Sequence, residues 1–299
     1  MRKIWKSFFT HTRIKSQEKW LIIGGCQIVG LANCLSIICM HVKIEICDVH
    51  KFRSNTKYWK SRARDFQQII VDPNFTDIIK QLNFEMITFI PAFQFKSFHP
   101  DSTYLLSQDE DIIKSPAGDY HSIIIFVAFK SGIPENMVKN FFNIDIYNKI
   151  GFLKTWDAEK LFLLDSFNMH GWDLQEDFIK WVRMGLFMHS GNHPRIDVIY
   201  DIALKIAKKI TIGAVIDSRI VPHDNLLIGE VFPIYPEIAD YYGISSGSYF
   251  FKSRGYEQIF TLDEFIAKSY AMYKKFDVDK CTVYNSHYHE VMNLFAELI

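Results

Sequence analysis

Three short clusters of reactive side chains stand out in the sequence: Gly24-Gly25-Cys26-Gln27, Phe98-His99-Pro100-Asp101 with Tyr104 close behind, and His189-Ser190-Gly191-Asn192-His193-Pro194-Arg195. In the first, Leu21-Ile22-Ile23 reads as a buried strand, the two glycines as a tight turn and the residues from Gln27 onward as a helix, which sets Cys26 where strand hands over to helix. Backbone N–H groups are unpaired at a helix start and the helix dipole is positive there, so a thiolate, a phosphate or an oxyanion is favoured. The glycines let a ligand approach the backbone closely. Such a turn suits nucleophilic or anion-binding chemistry, and it equally suits a structural cysteine beside an ordinary strand-to-helix turn.

The second cluster lies in an aromatic loop after an expected strand. Its His99, Asp101 and Tyr104 offer an acid/base group and a pocket wall. The plainer alternative is a loop packed over the core, with Asp101 capping a helix. In the third cluster His189 and His193 are four apart, but Gly191 and Pro194 interrupt any helix that would aim both rings at one metal. Pro194 fits the first position of a following helix, which puts Asn192 and His193 at its start and Arg195 in its first turn. That start can bind phosphate or orient a catalytic imidazole, or it is a cap with a surface histidine. Other motifs fail. His289-Glu290 lacks the second histidine of a zincin pair, there is no P-loop, and Gly24, Gly25 and Gly30 do not have dinucleotide-binding spacing. No metal site is expected.

The elements that must position these clusters follow from hydrophobic patterning. Strands are expected near residues 21–23, 42–47, 68–71, 86–90 and 122–127, with crossover helices at 27–39, 58–66 and 76–82. The alternation predicts an α/β fold with a mainly parallel sheet, whose ligands bind outside the carboxyl ends of the strands. From about Pro134 the pattern turns helical, with helices expected at 158–167, 174–187, 196–210, 262–273 and 287–298. The expected organisation is thus an α/β subdomain over 19–133 and a mainly helical part over 134–299, packed as one continuous structure. The 299 residues carry 34 basic and 34 acidic side chains, which argues against a dedicated nucleic-acid binder. Five cysteines without paired spacing give neither a disulfide framework nor a zinc site, and a reducing cytoplasm is the simpler setting. The uncharged stretch 20–40 is broken by Gly24, Gly25, Gln27, Gly30, Asn33 and Ser36, so it reads as strand, turn and helix rather than as a transmembrane segment. The basic, aromatic start with Trp5, Phe8 and Phe9 leaves peripheral contact with an anionic membrane surface open.

Taken together, the Gly-Cys-Gln turn, the Phe98-His99-Pro100-Asp101 loop and the Asn192-His193-Pro194 helix start resemble the polysaccharide biosynthesis family typified by WcbI, from about Trp20 to about Ile210. The resemblance implies capsule biosynthesis, coenzyme A binding, acetyl transfer to a sugar hydroxyl, and an α/β subdomain joined to helices that cradle the cofactor. Carried over residue by residue, it points to Cys26, Gln27, His99, Pro100, Asp101, Asn192, His193 and Pro194. One departure is visible: the family commonly has asparagine where this chain has Gly25. The resulting expectation is an acetyl-CoA-dependent O-acetyltransferase with a sugar or polysaccharide-precursor substrate. Cys26, Gln27, His99 and His193 are its catalytic candidates, and Gly25, Cys26, Asp101, Tyr104, Asn192 and Arg195 its cofactor contacts. The alternatives are a thiol or esterase-type hydrolase on the same site and a non-catalytic coenzyme A- or glycan-binding subunit.

Overall fold

Strand β1 (Glu18–Gly24) is buried without a break from Trp20 to Gly24, the pattern of a strand covered on both faces. It pairs in parallel with β2 (Val42–Asp48) on one side and β3 (Gln68–Val71) on the other, and β3 pairs in parallel with β4 (Ile87–Phe89). The order β2-β1-β3-β4 makes the chain run outward through helix α1 (Ile28–Ile38) to β2. It returns across β1 through α2 (Val49–Ser54) and α3 (Thr56–Arg62), and α4 (Thr76–Leu82) links β3 to β4. The direction of winding therefore reverses between β1 and β3, and a crevice opens beyond their carboxyl ends. The computed structural model describes residues 17–82, 84, 86–211, 213–254 and 258–298. The basic, aromatic start with Trp5, Phe8 and Phe9 lies outside them.

Residues 122–127 do not form a fifth strand. Ile123–Lys130 is a helix, α5, with only His121–Ser122 extended before it. A short apolar run cannot be told from a buried helix by periodicity, and here Ile123 to Ala128 are all buried. Capping decides it. Ser122 Oγ accepts from the Ile125 N–H at 3.1 Å, and Asp101 Oδ1 accepts from the Ile124 N–H at 2.9 Å. Two of the orphan donors of the first turn are thereby satisfied.

The helices that follow are α6 (Ile144–Ile150), α7 (Trp156–Asn168), α8 (Gln175–Arg183), α9 (Ile196–Ile210), α10 (Pro236–Tyr241), α11 (Leu262–Tyr273) and α12 (Tyr288–Leu298). Helix α9 packs directly on α1, and Gly30 makes the approach possible: a Cβ there would stand 3.1 Å from Ile199 Cδ1. One apolar core consequently runs from Trp20 on β1 to Phe295 on α12, and a smaller one on the opposite face of the sheet joins Leu21, Ile23, Phe52, Phe66 and Val71. The loop after β4 is part of the large core. Phe93, Phe95 and Phe98 pack edge-on against Trp181, Trp156 and Phe187 respectively.

Asp101 is fully buried, and its carboxylate holds α5 through Ile124 and accepts the Tyr235 hydroxyl at 2.5 Å. Asp101→Ala leaves that N–H and that hydroxyl without an acceptor. The expected loss is on the order of 3 kcal/mol, read as a lower midpoint with unchanged slope in urea unfolding; an unaltered midpoint would contradict this role.

Candidate active site

Gly24, Gly25 and Cys26 turn the chain out of β1 and into α1, and Cys26 faces solvent there while Cys34, Cys39 and Cys47 are buried. The next residue does not face solvent chemistry. Gln27 Nε2 donates to the Phe93 and Asn192 backbone oxygens, both at 2.8 Å, and its Oε1 accepts from the Phe93 N–H at 3.0 Å. Both amide hydrogens are thus spent. Gln27 therefore positions the turn, in place of the catalytic part expected of it.

Asn192 and His193 lie in a tight antiparallel turn, Met188–Ser190 against His193–Pro194, that leads into α9. Asn192 Oδ1 accepts the Tyr120 hydroxyl at 2.5 Å, and its Nδ2 donates to the Tyr104 hydroxyl at 3.0 Å. One hydrogen of that amide keeps no acceptor among the described residues. Tyr120 also lies 3.3 Å from His193 Nε2 and receives the Ser190 hydroxyl at 3.1 Å. Nδ1 of His193 is buried without a hydrogen-bonded partner.

Two cavities meet at Cys26 and Asn192. The larger, about 500 Å³, carries the polar and charged side chains Tyr104, Tyr120, His193, Asp119, Glu230 and Arg254 beside an apolar wall that includes Val29, Leu226 and Ile228. The smaller, about 260 Å³, sits at the crevice beyond β1 and β3 and is mostly apolar. A third space of about 90 Å³ reaches His99, Lys96 and Tyr284 beside Tyr104, Tyr120 and Asn192. The structure therefore brings Gly25, Cys26, Tyr104, Asn192 and His193 together, with His99 behind the tyrosines.

Two expected cofactor contacts stand apart. The Asp101 carboxylate is occupied by α5 and Tyr235, and an acidic, fully buried group has nothing to offer a phosphate. Arg195 is exposed and donates to the Leu186 carbonyl at 3.3 Å, outside the linings of all three spaces. Arg254 is the cation at the large cavity instead. Asp119, Tyr120, Asn225, Glu230 and Arg254 were not legible in the sequence, because each comes from a loop without a motif. The one local signal is Gly118, whose φ of +83° is left-handed and whose missing side chain leaves room for Glu230.

Electrostatics correct a further expectation. The Cys26 thiol is pushed up, not down: surrounding protein disfavours the thiolate, the N–H groups of Cys26 and Gln27 pull the other way, and Glu230 and Asp119 add to the rise. The helix start alone does not decide. His189 is tied to Asp224 at 2.8 Å, and Asp224 also accepts the Ile196 N–H of α9. Among the described residues no cluster of three or more His, Cys, Asp or Glu could hold a metal, and no helix is long and apolar enough to cross a membrane.

A parallel α/β sheet whose β1-to-α1 turn meets the antiparallel turn ahead of α9 at its carboxyl edge defines the class of a mixed α/β protein. The family model described as polysaccharide biosynthesis enzyme WcbI matches residues 19–214, and the chain belongs to that family. A solved structure of native WcbI, described as a novel polysaccharide biosynthesis enzyme and as lacking the disulfide bond between coenzyme A and one of its cysteines, shares the fold. It is 12% identical, covers 94% of each chain and superposes with a TM-score of 0.64. No curated protein matches the chain.

Burial sets the acid response of this region. It holds His99 at about 3, and His121 and His193 at about 4, below the ordinary 6.5. Between about 6.5 and 4 the unfolded chain therefore binds protons that the folded one refuses, and stability falls as pH falls. Asp101, raised by burial to about 6, works in the opposite sense between about 4 and 6, but it is one group against three. The melting temperature should drop from pH 7 to pH 4.5; a level or rising profile would show that the histidines are not buried neutral.

Proposed function

We propose that the chain is an acetyl-CoA-dependent O-acetyltransferase that acts on a hydroxyl of a capsular or other cell-surface sugar, or of its activated precursor, in the cytoplasm. The observation that carries this reading is that Cys26 and Asn192 stand where two cavities meet, the larger of which also carries His193, Asp119, Glu230 and Arg254 in its wall. Coenzyme A, when bound, supplies an acyl group activated as a thioester.

The residues present fit that group. Arg254 lines the large cavity and offers a phosphate contact. Gly25 has open space around it, since a Cβ there would meet nothing within 4 Å, so a bulky ligand can lie against the turn and the asparagine common in the family would also fit. His193 Nδ1 is buried and makes no full hydrogen bond, with the Glu230 backbone beside the ring.

Burial lowers His193 to about 4, so above about pH 5 it is neutral and can accept a proton from an acceptor hydroxyl, as a weak base whose contribution is position. Tyr120, fixed by Ser190 and Asn192, holds the imidazole from its Nε2 side. The free hydrogen of the Asn192 amide and the N–H groups at the start of α1 are donors for a developing oxyanion. A raised thiol at Cys26 supports direct transfer over a covalent route through sulfur.

Coenzyme A should raise the melting temperature, with NADH and adenosine doing far less. His193→Ala should cut acyl transfer on the order of a hundredfold or more while sparing coenzyme A binding, and Arg254→Ala should show the reverse balance. Thioester loss without a sugar acceptor would point to a hydrolase, and binding without turnover to a non-catalytic subunit. Stabilisation by NADH equal to that by coenzyme A would overturn the acyl-CoA reading.

A further inference from the structure

The apolar cavity does more than border the site. Its mouth is formed by Gly25, Cys26, Gln27, Ala92 and Asn192, and it runs inward between α1 and the sheet to Ile22, Ile70, Ile28 and Leu31. Ile22 and Ile70 sit side by side in the middle of β1 and β3. Its polar lining residues are Gln27, Asp72, Asn74, Gln94 and Asn192, and the amide of the first and the carboxylate of the second are already occupied. The Asp72 carboxylate accepts the Asn74 and Ala92 N–H groups at 2.8 and 2.9 Å, and both ends of the Gln27 amide are bonded to backbone. A purine would leave its ring nitrogens unsatisfied against isoleucine, whereas a hydrocarbon chain needs no partner there.

We propose that this cavity is an acyl-chain pocket and that the chain prefers a medium-length acyl group to acetyl. The inference rests on the coenzyme A thioester and sugar acceptor of the reading above and replaces its acetyl group by a longer one. A thioester carbonyl at the Cys26–Asn192 junction has the larger cavity on one side for the cofactor arm and acceptor, and the apolar one on the other for the chain. An acetyl group leaves most of the roughly 260 Å³ behind it unfilled. Each buried methylene contributes about 0.8 kcal/mol, a gain of about fourfold in affinity, until the pocket is full.

The test is a binding series with free coenzyme A, acetyl-, butyryl-, hexanoyl- and octanoyl-CoA, read by calorimetry on the full chain, so it does not depend on finding the sugar. Affinity should rise about fourfold per methylene from acetyl to hexanoyl. Ala92→Phe, at the exposed mouth, should flatten the series while leaving free coenzyme A within about twofold of the unaltered chain. Ile70→Phe, deeper in, should do the same if it folds, and the length series on the unaltered protein stands without either variant. Equal affinity for acetyl- and hexanoyl-CoA, or loss of free coenzyme A binding in Ala92→Phe, would overturn the proposal; the latter would assign the cavity to the nucleotide. No binding of any coenzyme A species would overturn the acyl-CoA reading itself, and this proposal with it.

Discussion

The side-chain amide of Gln27 is the constraint on which the rest of the site depends. Three hydrogen bonds join the turn after β1 to the loop after β4 and to the backbone of Asn192, which lies 165 residues further along the chain. None of the three partners is a side chain. The clamp therefore fixes backbone to backbone, and Asn192 then hands the position on through Tyr104 and Tyr120 to His193. An amide is the group for this task, since it supplies two donors and an acceptor in one plane without bringing a charge into a half-buried place. A glutamate would replace two donors by acceptors that face carbonyls.

The chemistry at this junction is governed by burial more than by paired charge. His193 and His99 are held neutral by desolvation, and His189 adds to the reluctance of both to take a proton. Cys26 is held protonated for the same reason, with Glu230 and Asp119 reinforcing it. A site of neutral, pre-positioned groups suits proton transfer from a hydroxyl, where charge appears only as the reaction proceeds. It does not suit storage of a thiolate.

The sheet, its parallel pairing and the strand-to-helix turn were legible because each rests on local signals: continuous apolar runs, a glycine pair and alternation with helical periods. Residues 122–127 were not, since an all-buried apolar run has no period to read and its helical state is imposed by Asp101 and Ser122 from outside the run. Cys26, Tyr104, Asn192 and His193 were singled out by residue type at element junctions and His99 by its loop, and the structure sets all five around adjoining cavities. Gln27 and Arg195 depart from their expected roles for different reasons: the Gln27 amide hydrogens are spent on backbone, and Arg195 lies outside all three spaces. A sequence shows that a side chain can donate, but only the fold shows whether the hydrogen is already spent. Asp119, Glu230 and Arg254 enter from loops whose paths are set by tertiary contacts, and Gly118 alone among their neighbours marked the place.

The site also exists only where the two halves of the chain have closed on each other. Cys26 and Gln27 belong to the sheet, Tyr104 and Tyr120 to the connection that follows it, and Asn192 and His193 to the lead into α9. Helix α9 reaches them because Gly30 lets it settle against α1, beside Ile199 and Ile196. A larger side chain at Gly30 would push α9 outward, and since Asn192 and His193 are only a few residues before its first turn, they would move with it. The distances that matter at the junction are hydrogen-bond lengths, which tolerate a few tenths of an ångström. The packing of two apolar helices thus sets the alignment of the polar groups, and the core and the site share one geometric requirement.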